Sequence, residues 1–125
     1  MSASSNGAVE PPAGWLANLD TMLARIRARD GKPRPFEVAL SHGTARIGVY
    51  APRGGDDQVP HAQDEVYIVA RGSGVFVNGA ERQPFKPGDM LFVPAGATHR
   101  FERFSDDFAV WVVFYGPEGG ERPTR

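Results

Sequence analysis

The apolar residues near the start of the chain recur at the spacing of an amphipathic helix. They follow one another mostly at steps of three and four residues: Trp15, Leu16, Leu19, Met22, Leu23 and Ile26. This spacing places them on one helical face. Arginines crowd the end of the segment, where cations favour the helix dipole, and Gly31 with Pro33 stops it. The pattern predicts a helix over residues 15–31, preceded by a flexible arm over residues 1–14.

After Pro35 the apolar residues fall into short runs separated by turn residues. The runs span residues 36–40, 44–51, 65–70, 75–77, 90–93, 98–104 and 108–115. Asn78-Gly79 is the strongest hairpin signal between them, and His42-Gly43 predicts a second tight turn. Short strands at intervals of roughly 8–15 residues predict an all-β fold, an antiparallel sandwich or barrel that carries one N-terminal helix.

The last predicted strand, residues 108–115, is apolar on both faces. One face carries Phe108, Val110, Val112 and Phe114, and the other carries Trp111, Val113 and Tyr115. A strand that is buried on both sides needs a second cover. We expect this cover to be either the amphipathic helix or a second subunit. The remaining residues, 117–125, are predicted to form a C-terminal tail.

Composition and charge exclude several classes of function. The chain has 125 residues, and 14 Lys and Arg against 15 Asp and Glu give a net charge of −1, so nucleic acid and anionic membranes are not expected partners. The absence of cysteine excludes disulfides, thiolate metal sites and thiol nucleophiles. The first residues do not have the pattern of a signal peptide, and the longest apolar run is far short of the roughly 20 residues of a membrane helix. We therefore expect a cytoplasmic protein.

The candidate chemistry lies on two of the predicted strands. By strand alternation Glu65, Tyr67 and Val69 share one face, and His99 shares a face with Phe101. A carboxylate and a histidine that face a barrel interior are costly to bury unless something pairs with them. A divalent cation pairs with both, since imidazole and carboxylate together suit Fe, Mn, Ni or Zn.

Two motifs in this region resemble those of the cupin superfamily. The run GDMLFVPAGATH matches the second cupin motif through Gly88, Pro94, Gly96 and His99. The first motif is matched by His61, Glu65 and Gly72. The resemblance covers residues 36–116 and implies the cupin double-stranded β-helix, a jelly-roll barrel. It also implies a metal centre inside the barrel and, because cupins are commonly dimers, a homodimer.

This sequence departs from the family pattern in ways that bear on the metal. Val59 stands where the first histidine of the first motif is expected, and Arg103 replaces the final Asn of the second motif. The implied ligands of the divalent ion are therefore His61, Glu65 and His99, with Gln63 as an additional weak oxygen ligand on the same strand face as His61. The alternative is a polar pocket without metal, in which the two histidines hydrogen-bond to Glu65.

Five polar residues receive specific expectations. Glu65 and Tyr67 are the predicted catalytic residues, with Tyr67 contacting substrate or, alternatively, only filling the barrel. Arg103 is either a surface residue or a group at the pocket mouth that binds a carboxylate. We expect His42 to be a surface turn residue and Asp64 to be a solvated neighbour of Glu65.

The aromatic residues narrow the type of ligand. Several of the following are expected to face the cavity: Phe76, Phe85, Phe92, Phe101, Phe108 and Trp111. Such a lining suits a small, partly apolar organic molecule. The resemblance then implies a metal-dependent enzyme of dioxygenase, isomerase or lyase type. The alternatives are a non-catalytic ligand-binding protein and a metal-free acid–base enzyme.

Overall fold

The computed structural model of the protein describes residues 16–122. This part of the chain contains one helix and eight strands: α1 (Leu19–Ala28), β1 (Phe36–His42), β2 (Ala45–Tyr50), β3 (Asp64–Arg71), β4 (Gly74–Asn78), β5 (Glu81–Phe85), β6 (Met90–Val93), β7 (His99–Glu102) and β8 (Ala109–Tyr115). The predicted all-β fold with one N-terminal helix is confirmed. The arm over residues 1–14 lies outside the described residues, and α1 lies within the predicted range 15–31.

The strands form two antiparallel sheets that face each other. The larger sheet has the order β1-β2-β8-β3-β6, and the smaller has the order β5-β4-β7. Alternate residues of β3 and β8 point between the sheets and are buried there, among them Tyr67, Val69, Val110 and Val112. The barrel interior is therefore the main hydrophobic core, and it is where inward residues of β3 and β7 meet.

The helix covers part of the outer face of the larger sheet. Asn18 caps α1 by accepting a hydrogen bond from the main-chain N–H of Thr21 at 3.0 Å. Three apolar residues of α1, Met22, Leu23 and Ile26, are buried against Val49 of β2 and Ala109 of β8, with Trp111 packed beside them. The expectation that β8 needs a cover on its second face is confirmed, and the amphipathic helix supplies it at this end of the strand.

At the other edge of the same sheet, no segment of residues 16–122 covers the outer face. Ile68 of β3 and Met90 and Phe92 of β6 are 44%, 62% and 46% exposed. Ile68 lies opposite Met90 across the β3–β6 pair, so these side chains form one apolar patch, which we call the β3–β6 patch. No helix in the described residues is long and apolar enough to cross a membrane.

Candidate metal centre

The fold brings His61, Glu65 and His99 together. Glu65 Oε1 lies 3.3 Å from His99 Nε2 and 3.7 Å from His61 Nε2. One potential ligand atom from each of the three residues lies within 4.8 Å of the others. Glu65 and His99 are buried, and His61 is partly exposed. The three residues named from the motifs are thus adjacent in space.

Local structure explains how each residue reaches this point. Glu65 lies on the inward face of β3, paired with Phe114 of β8 and Val93 of β6. His99 is the first residue of β7. Gly96, whose positive φ of 80° suits glycine, donates its N–H to the carbonyl of His61 at 2.8 Å. This hydrogen bond links the turn before β7 to the segment before β3 and holds both imidazoles near Glu65.

The most informative atom of the site is Glu65 Oε1. It is fully buried, and it is the single buried side-chain oxygen or nitrogen within residues 16–122 that lacks a hydrogen-bond partner. Leaving a buried polar group unsatisfied costs on the order of 1–3 kcal/mol, and more when the group is charged. Two imidazole nitrogens and an unpartnered carboxylate oxygen facing one point are the donor set that Fe, Mn, Ni or Zn accepts, so the residues present fit a divalent ion.

The ring of His99 is oriented by the main chain. Its Nδ1 lies 3.0 Å from the carbonyl oxygen of Ala97, which can only accept, so Nδ1 carries a proton. Neutral His99 therefore presents the Nε2 lone pair to Glu65. Burial lowers the pKa of His99, but the Glu65 carboxylate and the Ala97 carbonyl outweigh burial and raise it overall. The carbonyl is the kind of outer partner that fixes a metal-binding histidine.

The pKa of His61, in contrast to that of His99, is lowered. Burial lowers its pKa, and the negative charge of Glu65 offsets this only in part. Nearby positive charges, those of Arg34 and Arg46 among them, also lower it. Its ring packs edge-on against Phe114, with 4.9 Å between the ring centroids. The neutral form of His61, which is the metal-binding form, is the favoured one.

Tyr67 lies at the inner edge of the group and stays protonated. Burial and the negative charge of Glu65 raise the pKa of its hydroxyl. The hydroxyl donates to Gln58 Oε1 at 2.8 Å and lies 3.1 Å from His99 Nε2. Tyr67 is thus a hydrogen-bond donor beside the candidate centre, and its predicted catalytic role remains a prediction.

Two residues of this site, Asp56 and Gln58, carry no signal in the sequence analysis. Gln58 Nε2 donates to Asp56 Oδ2 at 2.8 Å, which turns Gln58 Oε1 toward Tyr67 and to within 3.4 Å of His61 Nε2. Asp56 also accepts from the Tyr50 hydroxyl at 2.6 Å and from the Phe101 N–H at 2.7 Å. Both residues lie in the irregular segment between β2 and β3, where no alternation indicates which side chains face inward.

The prediction for Asp64 is wrong. Its side chain is buried, with Oδ1 accepting from the Ala95 N–H at 2.9 Å and Oδ2 accepting from the Glu121 N–H at 2.8 Å. Asp64 does point away from Glu65, but the segment after β8 covers that side of the strand. The carboxylate therefore ties the C-terminal segment to the turn after β6.

The other residues considered in the sequence analysis bridge main-chain groups or are exposed. Gln63 donates its amide to the carbonyls of Thr44 and Gly116, at 3.0 and 2.8 Å, and so bridges main-chain groups. Val59 and His42 are exposed, the latter at the end of β1 as expected of a turn residue. Arg103 is also exposed, because β7 ends at Glu102 and the positive φ of Arg103, 52°, breaks the strand alternation.

A cavity of about 260 Å³ opens onto His61 and Glu65. Its walls include Phe36, Val38, Phe114 and the side chains of Arg34 and Arg46. A larger groove of about 1080 Å³ lies between α1 and residues 51–59, but none of the three ligand residues lines it.

The aromatic prediction needs correction at this cavity. Four of the six residues do point into the barrel, but their rings pack against one another at tilted and edge-on angles and fill it, and none of them lines the open cavity: Phe76, Phe85, Phe101 and Phe108. Phe92 belongs to the exposed β3–β6 patch, and Trp111 packs beside α1. The aromatic residues that line the cavity are instead Tyr50, Phe36 and Phe114, of which the last two pack edge-on with 6.0 Å between the ring centroids.

Comparisons with known proteins agree with this architecture. An uncharacterized protein of Streptomyces coelicolor is 40% identical over 102 residues, which cover 80% of this chain and 94% of that protein. Acireductone dioxygenase of Leishmania major is 35% identical over 81 residues, and the match covers 52% of this chain but 24% of that protein. An uncharacterized Klebsiella pneumoniae protein with a double-stranded β-helix domain has the same fold: TM-score 0.64, 16% identity, and coverage of 82% of this chain and 90% of that chain.

The family assignment rests on a match that spans most of the barrel. The family model for the cupin domain matches residues 46–115, from the second residue of β2 to the end of β8. This range contains both motifs and all three candidate ligands. The chain therefore belongs to the cupin family.

Proposed function

We propose that this protein is a metal-dependent enzyme that acts on a small organic molecule in the barrel cavity, with His61, Glu65 and His99 holding one divalent ion. The observation that carries the proposal is the buried, unpartnered Glu65 Oε1 facing two imidazole nitrogens. Three protein ligands leave coordination positions for substrate. A bound ion supplies Lewis-acid polarisation of a substrate oxygen and, where it is redox-active, dioxygen chemistry.

The protein's own groups prepare this cavity for chemistry. The carbonyl of Ala97 accepts a hydrogen bond from His99 Nδ1–H, and Gln58 Oε1 accepts one from the Tyr67 hydroxyl, so the donors around Glu65 have set directions. Phe36 and Phe114 make one wall of the cavity apolar. Among dioxygenase, isomerase and lyase chemistry, the match to a protein named acireductone dioxygenase favours oxygenation.

A metal-free acid–base enzyme is the second candidate. It is supported by the short separation between His99 Nε2 and Glu65 Oε1, 3.3 Å, and by the raised pKa of His99, which together describe an imidazole and a carboxylate that can share one proton between these two atoms. Turnover that survives removal of all metal by a chelator would favour this reaction type over the metal-dependent one.

Elemental analysis of the wild type and of His99→Ala tests the proposal. We expect about one divalent ion per chain in untagged wild type purified without chelator, and less than about a tenth of that in His99→Ala, because losing one of three ligands weakens binding by about 100-fold or more. His42→Ala, which removes an exposed histidine, is the matched control and should retain the ion. Wild type that holds no ion after anaerobic incubation with iron, manganese, nickel and zinc would overturn the proposal.

We also propose that the protein is a homodimer and that the β3–β6 patch lies in its interface. Contiguous exposed apolar residues of this kind mark association surfaces. We expect sedimentation to give twice the chain mass of 13.6 kDa, and the double substitution Met90→Ser and Phe92→Ser to give the monomer. Val59→Ser, at a 60% exposed valine outside the patch, should stay dimeric. A monomeric wild type at micromolar concentration would contradict the proposal.

A further inference from the structure

Two arginines in the cavity wall make no ion pair with any residue of the described part of the chain, residues 16–122. Arg34 and Arg46 both line the cavity that opens onto His61 and Glu65. Five other arginines pair with carboxylates: Arg25, Arg29, Arg71, Arg82 and Arg100. Within residues 16–122, neither Arg34 nor Arg46 makes such a pair. Their positive charges are therefore available to a ligand.

The guanidinium of Arg46 is held in place by aromatic rings. Its Cζ lies 4.8 Å from the centroid of the Phe114 ring and 5.9 Å from that of Phe36. These distances are those of cation–π contacts. Phe114 in turn packs against His61, so the guanidinium and the imidazole both contact the same phenyl ring. Arg46 is thus directed toward the cavity, next to the candidate metal centre.

The charges around the cavity do not balance. Glu65 is the one carboxylate among the residues that line the cavity. It forms the cavity floor together with His61, and it also faces the buried His99. A divalent ion on Glu65 would more than neutralise that carboxylate and add to the positive charge of the two arginines. Tyr50 and Gln58 also line the cavity, and the rest of its wall is apolar, formed by Phe36, Val38, Val112 and Phe114. The cavity, about 260 Å³, is just below the usual size range of ligand sites, so it suits a small molecule.

We propose that the ligand of this cavity is a small organic anion. Arg46 and Arg34 bind its carboxylate or phosphate group, and its apolar part lies against Phe36 and Phe114. A planar guanidinium binds either oxyanion through two parallel hydrogen bonds, which gives both affinity and orientation. The anion would then present its other end to the floor at His61 and Glu65. This substrate class deepens the proposed function, since it rests on the same cavity.

Calorimetric titration with three probes of similar size tests the inference. Benzoate and phenyl phosphate carry the two anionic groups, and benzamide is the neutral counterpart of benzoate. On zinc-incubated wild type we expect at least one anion to bind about tenfold or more tightly than benzamide, the contribution of one charge-assisted contact. The stronger of the two anions identifies the group that the arginines recognise. Failure of both anions to exceed benzamide overturns the inference.

Arginine variants distinguish binding of the anion by the arginines from direct binding of the anion to a metal ion. Arg46→Gln and Arg34→Gln should each lower the preference for the anion about tenfold. Arg103→Gln removes an exposed arginine outside the cavity and should leave it unchanged. A preference that survives in both cavity variants overturns the inference. The zinc content of the same samples tests the proposed function separately. Anion binding that depends on the arginines in protein that holds no zinc supports the anion site alone. Bound zinc together with anion binding that does not depend on the arginines supports the metal centre alone.

Discussion

Glu65→Gln is expected to lower the affinity for a divalent ion by about 100-fold or more while leaving the metal-free fold at least as stable as the wild type. Both effects follow from the loss of the negative charge of the carboxylate. The buried Oε1 lacks a partner in the metal-free protein, so its charge is a cost to folding. A glutamine amide in the same place is neutral, and it can donate to the Nε2 lone pair of His99, which lies 3.3 Å from Oε1. Zinc titration and urea unfolding at pH 8.5, after chelator treatment, measure the two quantities.

The control for this substitution is Glu81→Gln. Glu81 is an exposed carboxylate at the start of β5, and its replacement should change neither the affinity nor the free energy of unfolding by more than about 0.5 kcal/mol. If Glu65→Gln destabilised the metal-free protein by several kcal/mol, the carboxylate would be a structural hydrogen-bond acceptor. The unpartnered oxygen would then no longer support a metal centre.

Strand alternation and motif spacing were sufficient to predict that the three candidate ligand residues lie close together. Glu65 lies in a regular strand with a neighbour on each side, so the two-residue period correctly gives its inward direction. His99 begins a strand directly after a turn that the second motif specifies. In such regular segments the direction of a side chain follows from its position along the chain.

The rest of the site depends on packing between segments distant in the sequence. Gln58 and Asp56 reach Tyr67 and Phe101 from an irregular segment that has no period to interpret. Asp64 is buried by the chain after β8, at a separation of 57 residues from its partner Glu121. Arg46 lies on β2 with an exposed side chain, yet the aromatic rings of Phe36 and Phe114 on two other strands direct it to the cavity. The local sequence pattern predicts none of these contacts.

Asp56→Ala is expected to lower the free energy of unfolding by about 2–4 kcal/mol. The carboxylate accepts four hydrogen bonds: from the Tyr50 hydroxyl, the Phe101 N–H, and the N–H and side-chain amide of Gln58. Alanine leaves the N–H of buried Phe101 and the hydroxyl of buried Tyr50 without an acceptor. It also removes the acceptor of the Gln58 side-chain amide, so Gln58 Oε1 is no longer held toward Tyr67. Urea unfolding of the metal-free protein measures the loss.

The neighbouring carboxylate provides the matched comparison. Asp57 is exposed, and none of the side-chain hydrogen bonds in residues 16–122 involves it, so Asp57→Ala should stay within about 0.5 kcal/mol of the wild type. Asp56→Asn keeps the shape of the side chain and removes its charge. The amide oxygen still accepts hydrogen bonds, but the NH₂ group faces donors at the position of the second carboxylate oxygen. Asp56→Asn should therefore lower the free energy of unfolding by about half as much as Asp56→Ala. Equal stabilities for Asp56→Ala and Asp57→Ala would mean that the segment before β3 is held by its main chain. In that case Gln58 would have no fixed orientation to impose on Tyr67 and His61, and the hydroxyl of Tyr67 would be free to donate to His99 instead.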